Sequence, residues 1–156
     1  MDEINRDNPG VLAPPPLIFL SGLAAGLLFS LAFPLSFLSG PIRMVLGILL
    51  VALGGGIIVA AFRTMMSAGT PVDPGQPVQR IVTSGPYRLT RNPIYLSFGL
   101  ISLGIGILAD AAWVLILLPV VLVIIDRGVV AREEKYLERK FGADYLRYKS
   151  AVRRWI

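Results

Sequence analysis

Two adjacent carboxylates and three arginines lie next to long apolar runs, where their charges could take part in binding or catalysis. Glu133 and Glu134 follow the last run, and Arg80, Arg88 and Arg91 lie in the polar connection before the third. A buried charge without a partner is costly, so carboxylates that face protein or membrane need partners. The arginines can supply structural ion pairs. Alternatively, one carboxylate holds a cationic or hydroxyl-rich ligand.

Two residue types are absent from the chain, and their absence restricts the kinds of catalytic and metal site it can form. The chain has no cysteine and no histidine. Thiolate nucleophiles, disulfides and zinc–thiolate sites are therefore excluded, and the usual general base and commonest metal ligand are missing. We expect no metal and no nucleic-acid partner.

A turn-forming segment marks the entry to the third apolar run. Ser84-Gly85-Pro86 predicts a turn, and Asn92-Pro93 predicts a helix start with proline at the first helical position. Free backbone N–H groups at such a helix start can bind an acidic or carbonyl group. The alternative is an ordinary anchor of arginine and tyrosine at headgroup depth.

One face of the third run is small and slightly polar. Tyr95, Gly99, Ser102 and Gly106 stand at i, i+4, i+7 and i+11, which places them on one side of a helix. Small residues at this spacing favour close helix packing. A groove for a flat ligand or a lipid tail is the other interpretation.

These residues must be positioned by membrane helices. Hydrophobic residues make up 54% of the 156, charged residues only 16%, and mean hydropathy is +0.69. We predict an all-α integral membrane protein with about four transmembrane helices and a C-terminal amphipathic cytosolic helix. The predicted single membrane domain, 1–156, comprises a polar tail (1–16), two transmembrane helices (17–62), a cytosolic loop (63–93), a transmembrane hairpin (94–125) and the amphipathic helix (126–156).

Charge placement predicts the orientation. Four spans, the last two turning at Asp110, put the N-terminus, the 63–93 loop and the C-terminus on one side. That side holds all of the 15 lysines and arginines except Arg43. The positive-inside rule makes it cytoplasmic, so we expect a multi-pass protein with the loop 63–93 and the C-terminus in the cytoplasm.

The C-terminal segment has one apolar stripe. At 100° per residue, Val130, Leu137, Phe141, Tyr145 and Tyr148 share a face of the predicted helix. Glu133 and Glu134 flank this stripe. Gly142 is the one position that could interrupt the helix.

Two blocks carry a family resemblance. Gly85-x-Tyr87-x3-Arg91-Asn92-Pro93-x-Tyr95, with Glu133-Glu134-x-x-Leu137 and Phe141-Gly142-x2-Tyr145-x2-Tyr148 further on, resembles the isoprenylcysteine carboxyl methyltransferase family, a relative of membrane phospholipid methyltransferases. The resemblance covers residues 79–154. It implies an integral membrane enzyme that holds S-adenosylmethionine between the C-terminal helices and a cytosolic loop, with a lipid substrate entering from the bilayer.

The resemblance also implies site residues. Those implied for the cofactor are Gln79, Arg80, Ile81, Val82, Tyr87, Asn92, Pro93, Ile94, Tyr95 and Glu133. We take Arg91 and Glu134 as candidate catalytic residues. Ser102, Gly106 and Arg127 are the candidate substrate residues.

Two positions depart from the isoprenylcysteine pattern. Asn92 stands where those enzymes usually have histidine, whereas the phospholipid-methylating relatives resemble this chain in having Asn-Pro there. Val129 stands where they present an arginine to the substrate carboxylate, and Arg127 is nearby on another side of the helix. These departures leave the acceptor open between a carboxylate and an amine of a lipid or prenylated molecule.

Methyl transfer is compatible with a chain that lacks histidine and cysteine. The cofactor supplies the reactive group, and the protein mainly aligns it with the acceptor. A carboxylate acceptor needs no base, whereas an amine must lose a proton, for which Glu133 or Glu134 is available. We therefore expect S-adenosylmethionine-dependent methyl transfer to a lipophilic acceptor at the membrane–cytosol interface.

Two other functions stay open at this point. The first is an NADPH-dependent membrane reductase of the lipid or sterol type, in which Arg80, Arg88 and Arg91 would hold the 2′-phosphate. The second is a non-catalytic membrane adaptor whose basic C-terminal helix binds anionic lipid. The oligomeric state is not predicted.

Overall fold

A computed structural model of the chain describes residues 9–71 and 76–156. Residues 1–8 of the predicted polar tail and 72–75 of the predicted loop lie outside this range. The α-helices are α1 (Pro15–Ala32), α2 (Pro41–Ser67), α3 (Pro93–Leu108), α4 (Ala112–Ile125), α5 (Ala131–Phe141) and α6 (Ala143–Ala151). No strand is present in the described ranges, and the predicted all-α membrane class is confirmed.

Prolines and glycines set the helix boundaries. α1, α2 and α3 each begin with proline in the first positions, where its missing N–H is not needed. The prediction of one continuous C-terminal amphipathic helix over 126–156 is wrong, because two helices, α5 and α6, lie there. Gly142 adopts φ +52°, which ends α5 and turns the chain into α6.

The helix does not end at the boundary predicted between residues 125 and 126. One π-helical turn, Asp126–Val130, joins α4 to α5 and makes a continuous helix, Ala112–Phe141. Together with α1 and α2, this gives three helices long and apolar enough to cross a membrane. α3 is also apolar but has only 16 residues. Large apolar side chains such as Leu28 and Leu31 are exposed on the outer faces, as a bilayer requires.

Glycines allow the helices to pack closely in pairs. α1 packs on α4, where an added Cβ at Gly26 would lie 2.7 Å from the Val114 backbone. α2 packs on α3, where a Cβ at Gly104 would lie 2.8 Å from the Gly47 carbonyl oxygen. Small residues permit this approach between membrane helices.

The turn at Asp110 closes one end of the molecule, as predicted. Its carboxylate accepts backbone N–H bonds from Phe37 (3.2 Å) and Leu38 (3.3 Å) and lies 3.8 Å from Arg43. The backbone donors lower the pKa of Asp110. At the opposite end, Leu12 donates its N–H to the Gly128 carbonyl. The N-terminal segment, the long loop and the C-terminal helices therefore meet at that end.

Candidate functional site

A cleft lies at this end, between the long loop, the start of α3, and α5 and α6. Its enclosed part has a volume of about 150 Å³, and about 900 Å³ with its solvent-filled mouth included. All five tyrosines of the chain line it, namely Tyr87, Tyr95, Tyr136, Tyr145 and Tyr148. A concave site that combines aromatic walls with a few convergent charges is typical of ligand binding.

The loop wall of the cleft is built by a 3-10 turn, Gly85–Arg88. Gly85 adopts φ +57°, which lets the chain turn and bury Tyr87. The Tyr148 hydroxyl donates to the Tyr87 carbonyl oxygen at 2.7 Å, which fixes this turn to α6. Burial raises the pKa of Tyr87, and the neighbouring Tyr148 and Glu133 raise it further.

Glu133 and Tyr95 form one polar pair in the cleft. Glu133 lies in the first turn of α5, and the buried Tyr95 lies in the first turn of α3. The Tyr95 hydroxyl donates to Glu133 Oε1 at 2.6 Å. No second hydrogen bond to Glu133 is present within the described residues. This carboxylate therefore keeps acceptor capacity toward the cleft.

Glu134, in contrast, is surrounded by cations. Arg154 contacts it with two nitrogens, Nε at 3.0 Å from Oε1 and Nη2 at 2.7 Å from Oε2. Arg91 Nη1 lies 3.1 Å from Oε1, and Lys149 Nζ lies 3.5 Å from Oε2. These three cations occupy both oxygens of the buried carboxylate, so Glu134 has little acceptor capacity left for a ligand.

Arg91 presents an incompletely satisfied guanidinium to the cleft. Its side chain is 10% exposed, and neither Nε nor Nη1 has a hydrogen-bond acceptor of good geometry among the described residues. Tyr145 lies beside it. Burial and Glu134 raise the pKa of Tyr145 to about 12, and Arg91 opposes that rise. Buried donors without acceptors cost free energy, so an anionic ligand group would be favoured there.

The structure brings most of the predicted site residues together. Eleven line the cleft: Arg80, Ile81, Val82, Tyr87, Arg91, Asn92, Pro93, Ile94, Tyr95, Glu133 and Glu134. Gln79 is exposed and is not among the lining residues. Arg88, considered as a partner for phosphate, is also exposed and outside the lining.

The predicted substrate residues lie elsewhere. Ser102 and Gly106 are buried between α3, α1 and α4, where a Cβ at Gly106 would lie 2.8 Å from Val114. They serve helix packing, which was the alternative interpretation of the small face. Arg127 lines a second cleft of about 620 Å³ between α3 and α4.

Sequence reasoning missed several lining residues. Met65 lies in the last turn of α2, Thr70 lies just after that helix, and Val78 donates its N–H to the Tyr136 hydroxyl at 3.2 Å. None belongs to a motif, and no sequence signal marked them. Arg154 was also missed as a partner of Glu134, because a single arginine near the C-terminus carries no periodic signal.

The cleft thus contains one group that can bind a cation and another that can bind an anion. Glu133 and the tyrosine walls suit a cation, and Arg91 suits a carboxylate. A zwitterionic, amino-acid-like ligand would match both.

Comparison with known proteins gives three results. A family model described as "Phospholipid methyltransferase" matches residues 42–144. A protein of Haemophilus influenzae described as "Uncharacterized protein" is 54% identical over 35 residues, which are 22% of this chain and 56% of that protein. The chain thus spans about half the length of that curated relative. No solved structure matches the chain significantly.

Proposed function

The chain belongs to the phospholipid methyltransferase family, and on that premise we propose that it transfers a methyl group from S-adenosylmethionine to a lipophilic acceptor at the membrane surface. The family match agrees with the resemblance seen in the sequence. The tyrosine-lined cleft is the proposed cofactor site.

The observation that carries this proposal is that one cleft contains both a cationic and an anionic side chain with unused hydrogen-bonding capacity. Within the described residues, Arg91 Nε and Nη1 have no well-directed acceptor, although Nη1 lies 3.1 Å from Glu134, and Glu133 accepts a single hydrogen bond, from Tyr95. S-Adenosylmethionine carries a carboxylate, an ammonium and a sulfonium. The donor set therefore fits: Arg91 would hold the carboxylate, and Glu133 would hold a positive group.

The tyrosine walls support the same ligand. Tyr87, Tyr95 and Tyr145 are buried and line the cleft. The face of an aromatic ring attracts a cation, most strongly where water is excluded. When bound, the cofactor would supply an electrophilic methyl group for an in-line displacement.

The protein's own residues would orient and hold the reactants. The hydrogen bond from Tyr95 fixes the Glu133 carboxylate, and the ion pairs of Glu134 fix the wall that carries Arg91. An amine acceptor would release its proton to Glu133, the only one of the two carboxylates with free acceptor capacity. A carboxylate acceptor needs no such transfer.

The second cleft is the proposed place for the apolar part of the acceptor. Its walls are apolar side chains of α3 and α4, and Arg127 and Asp126 lie at its polar end. Arg127 has no ion pair with any residue that the structure describes, which leaves it open to an anionic headgroup. The cofactor cleft would then face the cytoplasm, the side to which the basic residues assign it.

The two alternatives have less support. A 2′-phosphate of NADPH would require an arginine cluster, but Arg80 and Arg91 are the only arginines among the described lining residues, and Arg91 is beside Glu134. A lipid adaptor does not require the polar pairing inside the cleft.

The direct test is titration calorimetry of the detergent-purified protein with S-adenosylhomocysteine and, in parallel, NADPH. We expect saturable binding of the first and none of the second. Incorporation of labelled methyl groups into a lipid extract then tests the transfer. Binding of NADPH alone would favour the reductase, and binding of neither would favour the adaptor.

A further inference from the structure

A segment outside the matched family region contacts residues that line the cleft. After α6, the chain is extended at Val152 and residues 152–156 run back across the loop; we call these residues the C-terminal strap. Arg91 donates its N–H to the Arg153 carbonyl oxygen at 3.0 Å. Thr90 Oγ1 and Asn92 Nδ2 both donate to the Arg154 carbonyl oxygen, at 3.0 and 2.9 Å. The strap backbone thus holds the three residues that lead into α3.

The Arg154 side chain connects two acidic residues of the long helix. It contacts Glu134 through Nε and Nη2, and its Nη1 lies 3.1 and 3.0 Å from the two oxygens of Asp126. Trp155 Nε1 also donates to Asp126 at 3.0 Å. The hydrogen bond with Glu134 is the main reason that the pKa of Arg154 is raised. A planar guanidinium can make this fork-like contact, and an ammonium cannot.

The contact between Arg154 and Glu134 determines how strongly Glu134 can pair with Arg91. Arg91 Nη1 lies only 3.1 Å from Glu134 Oε1 but makes no well-directed hydrogen bond with it. Arg154 already engages both oxygens of that carboxylate. If Arg154 were absent, Glu134 would be free to rotate toward Arg91 and pair with it fully. The guanidinium would then be turned from the cleft toward the protein.

We infer that Arg154 is a positioning residue: it engages Glu134 and so keeps the Arg91 guanidinium available for the anionic group of the ligand. This inference rests on the proposed cofactor site. It assigns a functional role to a residue that no family motif contains.

The test is the dissociation constant of S-adenosylhomocysteine for five variants of the purified protein. Arg154→Ala should weaken binding at least about tenfold, the scale of one lost charge-assisted hydrogen bond. Arg154→Lys keeps the charge without the fork and should lie between Arg154→Ala and wild type. Arg153→Ala is the matched control: its side chain is exposed, and only its backbone holds Arg91. It should bind within about twofold of wild type.

The fourth variant separates positioning from simple structural loss. In Arg154→Ala/Glu134→Gln, the neutral amide attracts Arg91 less, so binding should recover a large part of the loss. A merely structural Arg154 predicts instead that affinity follows the melting temperature across the variants, because losing one partner of a buried ion pair destabilises the fold and replacing both partners can relieve that cost. Glu134→Gln alone completes the double-mutant cycle.

Each outcome decides the matter. Wild-type affinity in Arg154→Ala, further weakening in the double variant, or affinity that follows the melting temperature across the variants overturns the inference while the cofactor site stands. If wild type itself does not bind S-adenosylhomocysteine, the proposed function fails and the inference fails with it. If Arg154→Ala does not fold, wild-type affinity in Arg154→Lys overturns the inference.

Discussion

The Tyr95 hydroxyl donates a 2.6 Å hydrogen bond to Glu133 Oε1, although 38 residues separate the two in the chain. This bond joins the first turn of α3 to the first turn of α5 across the proposed cofactor cleft. It leaves Glu133 with free acceptor capacity, whereas its neighbour Glu134 is engaged by Arg154. Adjacent carboxylates in one helix are thereby given different roles by their surroundings.

Neutralising Glu133 should weaken cofactor binding. Glu133→Gln keeps an acceptor for Tyr95 but loses the charge that would face a cationic ligand. We expect affinity for S-adenosylhomocysteine to fall at least about tenfold in calorimetry. Glu138→Gln is the control, because Glu138 lies on the same helix, outside the cleft lining, and pairs with Lys149. Equal affinity in both variants would contradict the assignment.

Removing the Tyr95 hydroxyl should weaken binding through Glu133. In Tyr95→Phe the carboxylate loses its only hydrogen-bond donor among the described residues, so its orientation is no longer fixed. A loss of about 1–2 kcal/mol in binding free energy is expected. In the Glu133→Gln background the same change should have a smaller effect, since the two residues act as a pair. Additive losses would show that Tyr95 acts independently.

Close packing of α2 on α3 should not tolerate a methyl group at Gly104. An added Cβ there would lie 2.8 Å from the Gly47 carbonyl oxygen and 2.9 Å from the Val51 nitrogen, and backbone atoms cannot move aside. Gly104→Ala should lower the free energy of unfolding by about 1–3 kcal/mol. Gly55→Ala is the control, because no atom lies within 4 Å of its added Cβ. Thermal unfolding in detergent measures both, and equal stability would refute the packing argument.

Alkaline pH should destabilise the fold through the cleft tyrosines. Burial raises the pKa of Tyr145 from 10 to about 12, and it also raises the pKa values of Tyr87 and Tyr148. The folded state therefore retains these protons more tightly than the unfolded state. Their contribution to stability is complete below pH 10 and falls as the pH rises toward 12.

Two measurements check the alkaline prediction. The tyrosinate absorbance of the folded protein should develop at higher pH than that of the denatured chain. The melting temperature should begin to fall near the ordinary tyrosine pKa. Coincident titration curves of the folded and denatured states would contradict it.

Labelling of single cysteines should reveal the orientation. The chain has no cysteine, so a membrane-impermeant maleimide has no background target. Ser39→Cys, in the exposed connection between α1 and α2, should react in intact cells. Ser150→Cys, exposed in α6, should react only after permeabilisation. The opposite pattern would place the cofactor cleft outside the cytoplasm.

The membrane helices were predictable because their signal is local. Runs without charge and the prolines at helix starts placed α1 to α4 within a few residues. The π-helical turn was not predictable, since nothing in Asp126–Val130 distinguishes it from an ordinary helical turn.

The candidate site was predictable where a motif existed. The loop motif and the glutamate pair located eleven lining residues. Ser102 and Gly106 were assigned to substrate because spacing alone cannot distinguish a groove from a packed helix interface. Arg154 was missed because its partners, Glu134 and Asp126, are distant in sequence and meet it only after the strap folds back.

The π-helical turn makes chain length itself a determinant of the site. It contains one residue more than an α-helical turn needs, and it lies between the apolar α4 and the two glutamates of α5. Deleting Gly128 would restore an even helix and rotate the glutamates by about 100° relative to α4. Substitutions in this turn conserve the register, but insertions and deletions do not. Relatives that share the glutamate pair should therefore show a fixed spacing between it and the last membrane span, even where the residues between them differ.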